Sequence, residues 1–140
     1  MNIEKTELEN LVRQIINEKL NCCSVKAVKI PQIPVRECDR LDTGNPSHKV
    51  YTRDVFDLSE SPRLGCGIME MTDTTFDWTL QYDEIDYVIE GTLNIICNGT
   101  TTTAHAGEIV LIPKGSSIKF SVLGFSRFLY VTYPANWASL

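Results

Sequence analysis

The spacing of apolar residues is helical near the start of the chain. Residues 6–20 carry apolar side chains at steps of three and four, at Leu8, Leu11, Val12, Ile15, Ile16 and Leu20, which predicts an amphipathic helix. Thr6 and Glu9 form a capping-box pair for its first turn. Two prolines within residues 22–34 prevent the helix from continuing. We therefore predict a separate N-terminal helix, residues 1–24, followed by one domain, residues 25–140.

From about residue 64 the apolar period becomes two, which predicts β-strands. The predicted strands are residues 64–72, 76–82, 85–90, 92–97, 100–105, 109–112, 117–123 and 126–133. Asn98-Gly99 favours a two-residue hairpin of type I′. Because no helical period interrupts this run, a parallel βαβ sheet is excluded. Residues 38–57 are rich in Pro, Gly, Asn and Asp, and we expect loops and edge strands there, over one end of a barrel.

Composition and charge narrow the class of protein. A chain of 140 residues with 43% hydrophobic and 22% charged residues fits one globular domain. No apolar run or signal sequence points to a membrane, so we expect a cytoplasmic location. A net charge of −5 without a basic cluster argues against binding to nucleic acid.

Cysteine usage predicts reduced thiols. The five cysteines are odd in number and show no zinc-like spacing with the two histidines; they are Cys22, Cys23, Cys38, Cys66 and Cys97.

Two glycine-containing motifs point to a fold family. Glu84 is followed after six residues by Gly91, and Gly107, Pro113 and Gly115 form the pattern of glycine, five residues, proline, one residue, glycine. We expect these residues to build tight turns of a small jelly roll. The chain resembles the cupins, so the predicted fold is an all-β cupin-type jelly-roll β-barrel preceded by a short helix.

The resemblance to cupins also shows which residues are missing. The family's first motif carries two histidines before the glutamate, where this chain has Trp78 and Leu80, or Asp77 and Thr79 in the other register. The histidine of the second motif is replaced by Ile118. We therefore expect no histidine-held iron, manganese or zinc and no tightly bound cofactor.

Four strings extend the resemblance to one family, over residues 45–140. They are residues 78–86, 112–118, 127–131 and 134–137, which read WTLQYDEID, IPKGSSI, RFLYV and PANW. They resemble the EutQ proteins of ethanolamine utilisation. The resemblance implies a role in ethanolamine breakdown associated with a bacterial microcompartment. It also implies acetate kinase activity, the reversible conversion of acetate and ATP into acetyl phosphate and ADP, with ATP and Mg²⁺ entering as substrate.

The predicted catalytic residues are Glu84 and Asp86. If Glu84 faces the barrel interior, the period of two turns Asp86 inward as well. Adjacent desolvated carboxylates raise each other's pKa and suit acid–base chemistry or a hard cation such as magnesium. The alternative is a pair that is solvated or bonded to backbone amides.

The predicted interior is an aromatic and aliphatic cup. Phe76, Trp78, Leu80 and Tyr82 share one strand face, and Ile118, Phe120 and Val122 share another. The predicted ligand contacts are Trp78, Tyr82, His105, Lys114, Phe120, Arg127 and Tyr130, although Trp78 and Phe120 are also ordinary core residues. No phosphate-binding glycine-rich loop is present, so ATP would need cations from Lys114, Arg127, Arg53 or Lys49.

Two other classes of function remain open. One is a non-catalytic module that holds a small metabolite in a metal-free cavity. The other is an interaction protein whose residues 6–20 dock on a microcompartment shell protein, unless this helix packs on its own barrel or across a dimer. We expect a homodimer formed through edge strands.

Overall fold

The computed structural model describes residues 4–21 and 25–140. Its helix is α1 (Lys5–Asn21), and its strands are β1 (Lys49–Phe56), β2 (Gly65–Thr79), β3 (Asp83–Cys97), β4 (Thr100–His105), β5 (Ile109–Ile112) and β6 (Ser117–Tyr133). Short 3₁₀ turns occupy Ile30–Gln32, Glu37–Asp39 and Trp137–Ser139. The prediction of an all-β domain preceded by one helix is confirmed.

The six strands form an antiparallel sheet in the order β1-β2-β6-β3-β4, with β5 paired to β3. The first part of β3 lies between β5 and the end of β6, whereas its last part lies between β4 and the start of β6. Strands β2 and β6 pair along both parts in the same way. The sheet therefore has two halves, and their inner faces supply one shared core, as in a jelly roll.

Three of the predicted strand boundaries are bends inside long strands. The backbone has a positive φ at Asp73 (41°), Gly91 (78°) and Gly124 (75°), and pairing shifts register beside Asp73 and Gly91. One residue of positive φ redirects a strand without ending it. The structure therefore has five strands in residues 64–133 where eight were predicted. The two predicted strands on either side of each bend form one continuous strand.

Gly91 is needed for close approach of two strands. A Cβ at this position would lie 2.0 Å from the carbonyl oxygen of Phe125 on β6. The prediction that the glycine of the first motif builds a tight turn is thus wrong for Gly91, which lies within β3. Gly107 and Gly115 do lie in turns, with φ of 90° and 87°.

The hairpin between β3 and β4 has the predicted turn. Asn98 and Gly99 adopt φ of 49° and 76°, the left-handed pair that a type I′ turn requires, and Cys97 pairs with Thr100 across it. Residues 38–57 include the end of the 3₁₀ turn Glu37–Asp39 and the whole of the edge strand β1. This agrees with the loops and edge strands expected there.

The helix α1 begins at Lys5, so Thr6 lies in its first turn instead of before it. Its apolar residues Leu8, Leu11, Val12, Ile15, Ile16 and Leu20 are 45–77% exposed. The barrel therefore does not cover the apolar face of this helix. None of the described helices is long and apolar enough to cross a membrane.

Cys38, Cys66 and Cys97 are free thiols, as predicted. Cys22 and Cys23 lie outside the described residues.

Replacing Gly91 by alanine should destabilise the fold strongly, because the new methyl group meets a backbone carbonyl that cannot rotate away. We expect a loss of about 3 kcal/mol or more in the free energy of unfolding, measured by urea denaturation.

Gly124→Ala is the matched control, since Gly124 has nearly the same φ and nothing within 4 Å of its added Cβ. It should cost only the conformational penalty of about 1–2 kcal/mol. Equal losses in the two variants would contradict the close-approach explanation.

Candidate functional site

One small cavity lies between the two halves of the sheet. Its lining residues come from the loop before β1, from β2, β3 and β6, from the turn between β2 and β3, and from the segment after β6; they are Leu41, Met69, Phe76, Trp78, Tyr82, Glu84, Phe120, Tyr130 and Trp137. The cavity volume is about 10 Å³, enough for about one water molecule. The site is an aromatic cup with one acidic lining residue.

Aromatic rings pack closely around this cavity. Phe76 stacks on Phe120 with ring centroids 5.4 Å apart, and Trp78 contacts Phe76 edge-on at 5.9 Å. The indole Nε1 of Trp78 donates a hydrogen bond of 2.8 Å to the Tyr82 hydroxyl. The predicted inward sets on β2 and β6 are confirmed, with Leu80, Ile118 and Val122 buried alongside.

Glu84 and Asp86 lie on the inner face of β3, as the period of two predicts. Glu84 is 4% exposed and Asp86 is fully buried. Neither carboxylate oxygen of Asp86 has a hydrogen-bond partner among residues 4–21 and 25–140. Asp86 is therefore neither solvated nor bonded to backbone amides, and the two carboxyl groups affect each other's pKa.

Burial controls the protonation of this pair. It raises the pKa of Glu84 from 4.5 to about 7, although Asp86 and the Tyr82 hydroxyl oppose the rise. Burial, followed by the charge of Glu84, raises the pKa of Asp86 well above its usual range. Since a buried carboxylate without donors is costly, the pair retains a proton near neutral pH.

The two tyrosines of the cavity have different hydroxyl partners. Tyr82 accepts the Trp78 bond, and burial together with Glu84 raises the pKa of Tyr82. Tyr130 donates a bond of 2.8 Å to Asp54 on β1, and burial, then Asp54, raises the pKa of Tyr130. The ring of Tyr130 lines the cavity, whereas its hydroxyl group is hydrogen-bonded to β1.

Four of the seven predicted ligand contacts meet at the cavity, namely Trp78, Tyr82, Phe120 and Tyr130. His105 is an exposed residue at the end of β4, with its Nδ1 3.3 Å from the Thr92 hydroxyl. Lys114 lies in an exposed turn, where its backbone N–H donates to Asp83. Neither His105 nor Lys114 lines the cavity.

Arg127 lies on the outer face of the sheet. It forms a largely buried ion pair with Glu70, and its Nη2 donates to the carbonyl oxygens of Ile30 (3.2 Å) and Ile33 (2.8 Å). Arg53 donates to the carbonyl oxygen of Pro34 at 2.6 Å in the same way. Both guanidinium groups therefore fasten residues 30–34 to the outside of the barrel, and neither reaches the cavity.

Three lining residues were missed by the pattern of the sequence. Leu41 reaches the cavity from a loop that is fixed by a bond from its N–H to the carbonyl oxygen of Val50. Met69 is an inward residue of β2. Trp137 follows β6, and the only signal for it was its place in the string of residues 134–137.

Apolar side chains occupy the positions that would carry histidines in a metal-bearing cupin. Leu80 and Ile118 are 0% and 4% exposed, and Trp78 lines the cavity. Within residues 4–21 and 25–140, no group of three or more His, Cys, Asp or Glu side chains is arranged to hold a metal ion. Of the two carboxyl groups, Glu84 lines the cavity and Asp86 does not.

A bent antiparallel jelly roll with the glutamate of the first cupin motif inside, and apolar residues at the histidine positions, defines a cupin fold with a carboxyl pair in its interior. The family can be stated more narrowly. The chain belongs to the EutQ family, because the sequence model described as Ethanolamine utilisation protein EutQ matches residues 3–139.

Similar proteins agree with this assignment. A Clostridioides difficile (strain 630) protein named Acetate kinase EutQ is 57% identical, with 99% of this chain and 96% of that protein covered. An Escherichia coli (strain K12) protein of the same name is 44% identical. The matched region covers 72% of this chain and 43% of that protein.

Solved structures agree as well. The Clostridium difficile EutQ protein superposes with a TM-score of 0.82 at 62% identity, covering 85% of this chain and 87% of that one. The cupin domain of Schizosaccharomyces pombe Cnp3 superposes with a TM-score of 0.61 at 14% identity, covering 81% and 77%. This second likeness shows the cupin fold alone.

The carboxyl pair should make stability fall as pH rises from about 4.5 to about 7. In this window the unfolded chain has released the Glu84 proton and the folded chain still holds it, so the folded state is favoured at the acidic end. We expect Glu84 to contribute a decline on the order of 2–3 kcal/mol in the free energy of unfolding, measured by urea denaturation at several pH values.

Glu84→Gln with Asp86→Asn should flatten this decline, because neither amide titrates. Glu9→Gln, the same change on the exposed helix α1, should leave it intact. A double variant that keeps the full decline would show that other groups cause it.

Proposed function

We propose that this EutQ-family protein phosphorylates acetate with ATP and that acetate binds in the cavity beside Glu84. The observation that carries the proposal is the buried carboxyl pair, in which neither oxygen of Asp86 has a donor among the described residues. Because the pair retains a proton near neutral pH, a protonated carboxyl group would donate a hydrogen bond to an acetate oxygen. The stacked rings of Phe76 and Phe120 offer an apolar surface to the methyl group.

The reaction needs no base, since acetate is already an anion at neutral pH. An acetate oxygen attacks the γ-phosphorus of ATP, the new O–P bond gives acetyl phosphate, and the bond from the γ-phosphorus to the ADP oxygen breaks. Such transfers depend on positioning and on neutralising the charge of the phosphate oxygens. Glu84 would orient acetate through the shared proton, and Asp86 would hold that proton. Mg²⁺ would enter with ATP as part of the substrate.

The name Acetate kinase EutQ, carried by a relative 57% identical across 99% of this chain, supports the same reaction. The cavity volume of about 10 Å³ leaves the nucleotide outside, so the phosphate groups would bind at the cavity mouth.

A second candidate is a binding module that holds a small carboxylate without transferring phosphate. It is favoured by the lining of the cavity, which contains no lysine or arginine. Arg53 and Arg127 are bonded to carbonyl oxygens on the outer face, so they do not supply the positive charge that phosphoryl transfer uses.

Turnover of acetate and ATP with magnesium should depend on both carboxyl groups. We expect Glu84→Ala and Asp86→Ala to lower kcat/KM by about 100-fold or more, as the loss of a group that orients the substrate does. Formation of acetyl phosphate, trapped with hydroxylamine, measures the rate.

The isosteric Glu84→Gln separates proton donation from packing, because it keeps the volume of the side chain. Asp77→Asn, a change at an exposed carboxyl group of β2, is the control and should retain the rate of the unchanged protein. Background rates in all proteins, with acetate binding still detected by calorimetry, would favour the binding module over the kinase.

We also propose that two copies of the chain pair through the outer face beside β5. Ile85, Tyr87, Ile109, Leu111 and Tyr133 are neighbours on this face and are 40–66% exposed. A contiguous apolar patch next to an unpaired strand edge suits a symmetric contact. A second copy would cover the patch and pair the edge.

Leu111→Lys should convert this dimer into a monomer of 15.8 kDa, because it places a charge in the centre of the contact. Light scattering after size exclusion gives the mass. Leu123→Lys, at a residue 84% exposed on β6, is the control and should stay dimeric. A monomeric unchanged protein would contradict the proposal.

The helix α1 is proposed to serve a different contact. Its apolar face is exposed, and the family resemblance suggests a microcompartment shell protein as the partner. Removal of residues 1–24 would then release the protein from purified shells and leave its turnover unchanged.

A further inference from the structure

Residues 134–140, called here the capping segment, close the mouth of the cavity with a single side chain. Trp137 is 8% exposed, and its ring centroid lies 5.7 Å from that of Tyr130, 5.9 Å from that of Tyr82 and 6.4 Å from that of Trp78. In the capping segment only Ala135 is buried besides Trp137. One indole therefore completes an aromatic wall that is otherwise built from the barrel.

Few hydrogen bonds hold the capping segment in place. Its bonds within residues 136–140 are internal, between Asn136 and Ser139 and from Leu140 to Trp137. Among the described residues, its one bond to the barrel is 3.3 Å long, from the Thr132 hydroxyl to the carbonyl oxygen of Pro134. The strands, in contrast, are fixed by continuous ladders. The burial of Trp137 and Ala135 is thus the main attachment of the segment.

The indole of Trp137 and a ligand compete for the same space. With Trp137 in the wall, the cavity volume is about 10 Å³, which suits about one water molecule. Acetate has four non-hydrogen atoms, so it cannot reach Glu84 unless a lining side chain moves. Trp137 is the lining residue that belongs to the capping segment, which among the described residues has no strand pairing and one bond to the barrel.

We propose that Trp137 gates the cavity and sets the size of the ligand it accepts: the indole occupies the ligand's place, and the ligand enters as the capping segment withdraws. The ligand class rests on the proposed function, namely small carboxylates that meet a proton of the Glu84 pair. The role of Trp137 as a displaceable occupant rests on the packing of the wall alone. Trp137 would therefore select acetate over longer carboxylates, because a longer ligand must displace the indole further.

The first experiment compares carboxylates of increasing length on the full chain. Acetate, propionate and butyrate are titrated by calorimetry into the unchanged protein, Trp137→Ala and Trp137→Phe. We expect butyrate to bind Trp137→Ala about tenfold or more tightly than it binds the unchanged protein, with Trp137→Phe between them, because added methylene groups fill the vacated space.

Leu140→Ala is the matched control, since Leu140 lies in the same segment and is 55% exposed. It should keep the ligand preference of the unchanged protein. If folded Trp137→Ala shows the same order and ratio of affinities as the unchanged protein, Trp137 does not set ligand size and the proposal is overturned. Should Trp137→Ala fail to fold, Trp137→Phe carries the same comparison.

The second experiment does not depend on carboxylates. Indole itself should bind Trp137→Ala and raise its melting temperature, since a ligand that binds only the folded state stabilises it, whereas the unchanged protein and Leu140→Ala should show no shift. Indole binding without any carboxylate binding would contradict the acetate site and support the displaceable wall. Folded Trp137→Ala that binds no indole would overturn the gate, whatever the turnover assay shows.

Tryptophan fluorescence adds a direct readout of opening. The chain has two tryptophans, and both line the cavity. Acetate binding to the unchanged protein should shift the emission to longer wavelength as Trp137 moves into water. A bound state, established by calorimetry, with unchanged emission would contradict withdrawal of the indole.

Discussion

The removal of two carboxyl groups from water is the constraint on which the interior of this protein depends. Glu84 and Asp86 lie side by side on one face of β3, and neither Asp86 oxygen finds a donor among the described residues. A pair of charges there would cost several kcal/mol in desolvation and repulsion. The fold tolerates the pair because a retained proton removes one of the two charges and the repulsion between them. The aromatic packing of the interior thus depends on the protonation of the carboxyl pair.

The interior differs from that of a metal-bearing cupin at the positions of the histidine ligands. Histidine ligands would make the interior polar and open to solvent, whereas Leu80 and Ile118 are buried apolar residues. A site of this kind favours ligands that accept a hydrogen bond from a neutral carboxyl group and otherwise present apolar surface. Charged phosphate groups do not share those properties. Binding of a small carboxylate in the cavity therefore does not by itself imply phosphoryl transfer.

Much of the fold was predictable because short sequence patterns determine the strands and turns. The period of two placed Glu84, Asp86 and Phe120 inward, and two glycine motifs identified the jelly roll. The rest depended on contacts between distant segments. The bends at Asp73, Gly91 and Gly124 look like strand ends in sequence, since a positive φ favours the same residues in a bend and in a turn. Arg127 looked like a ligand contact, but its partners are the carbonyl oxygens of residues 30 and 33, which no local pattern reveals. Trp137 reaches the cavity only because the end of β6 leads to its mouth.

The three bent strands have a consequence for how the domain unfolds. Strands β2, β3 and β6 each pair in both halves of the sheet, so neither half can lose its ladder without disturbing the backbone of the other. Slow amide exchange should therefore extend across both halves as one cooperative unit. The capping segment and the helix α1 lie outside that unit. The protein thus combines a barrel that opens only as a whole with a cavity mouth that can open separately.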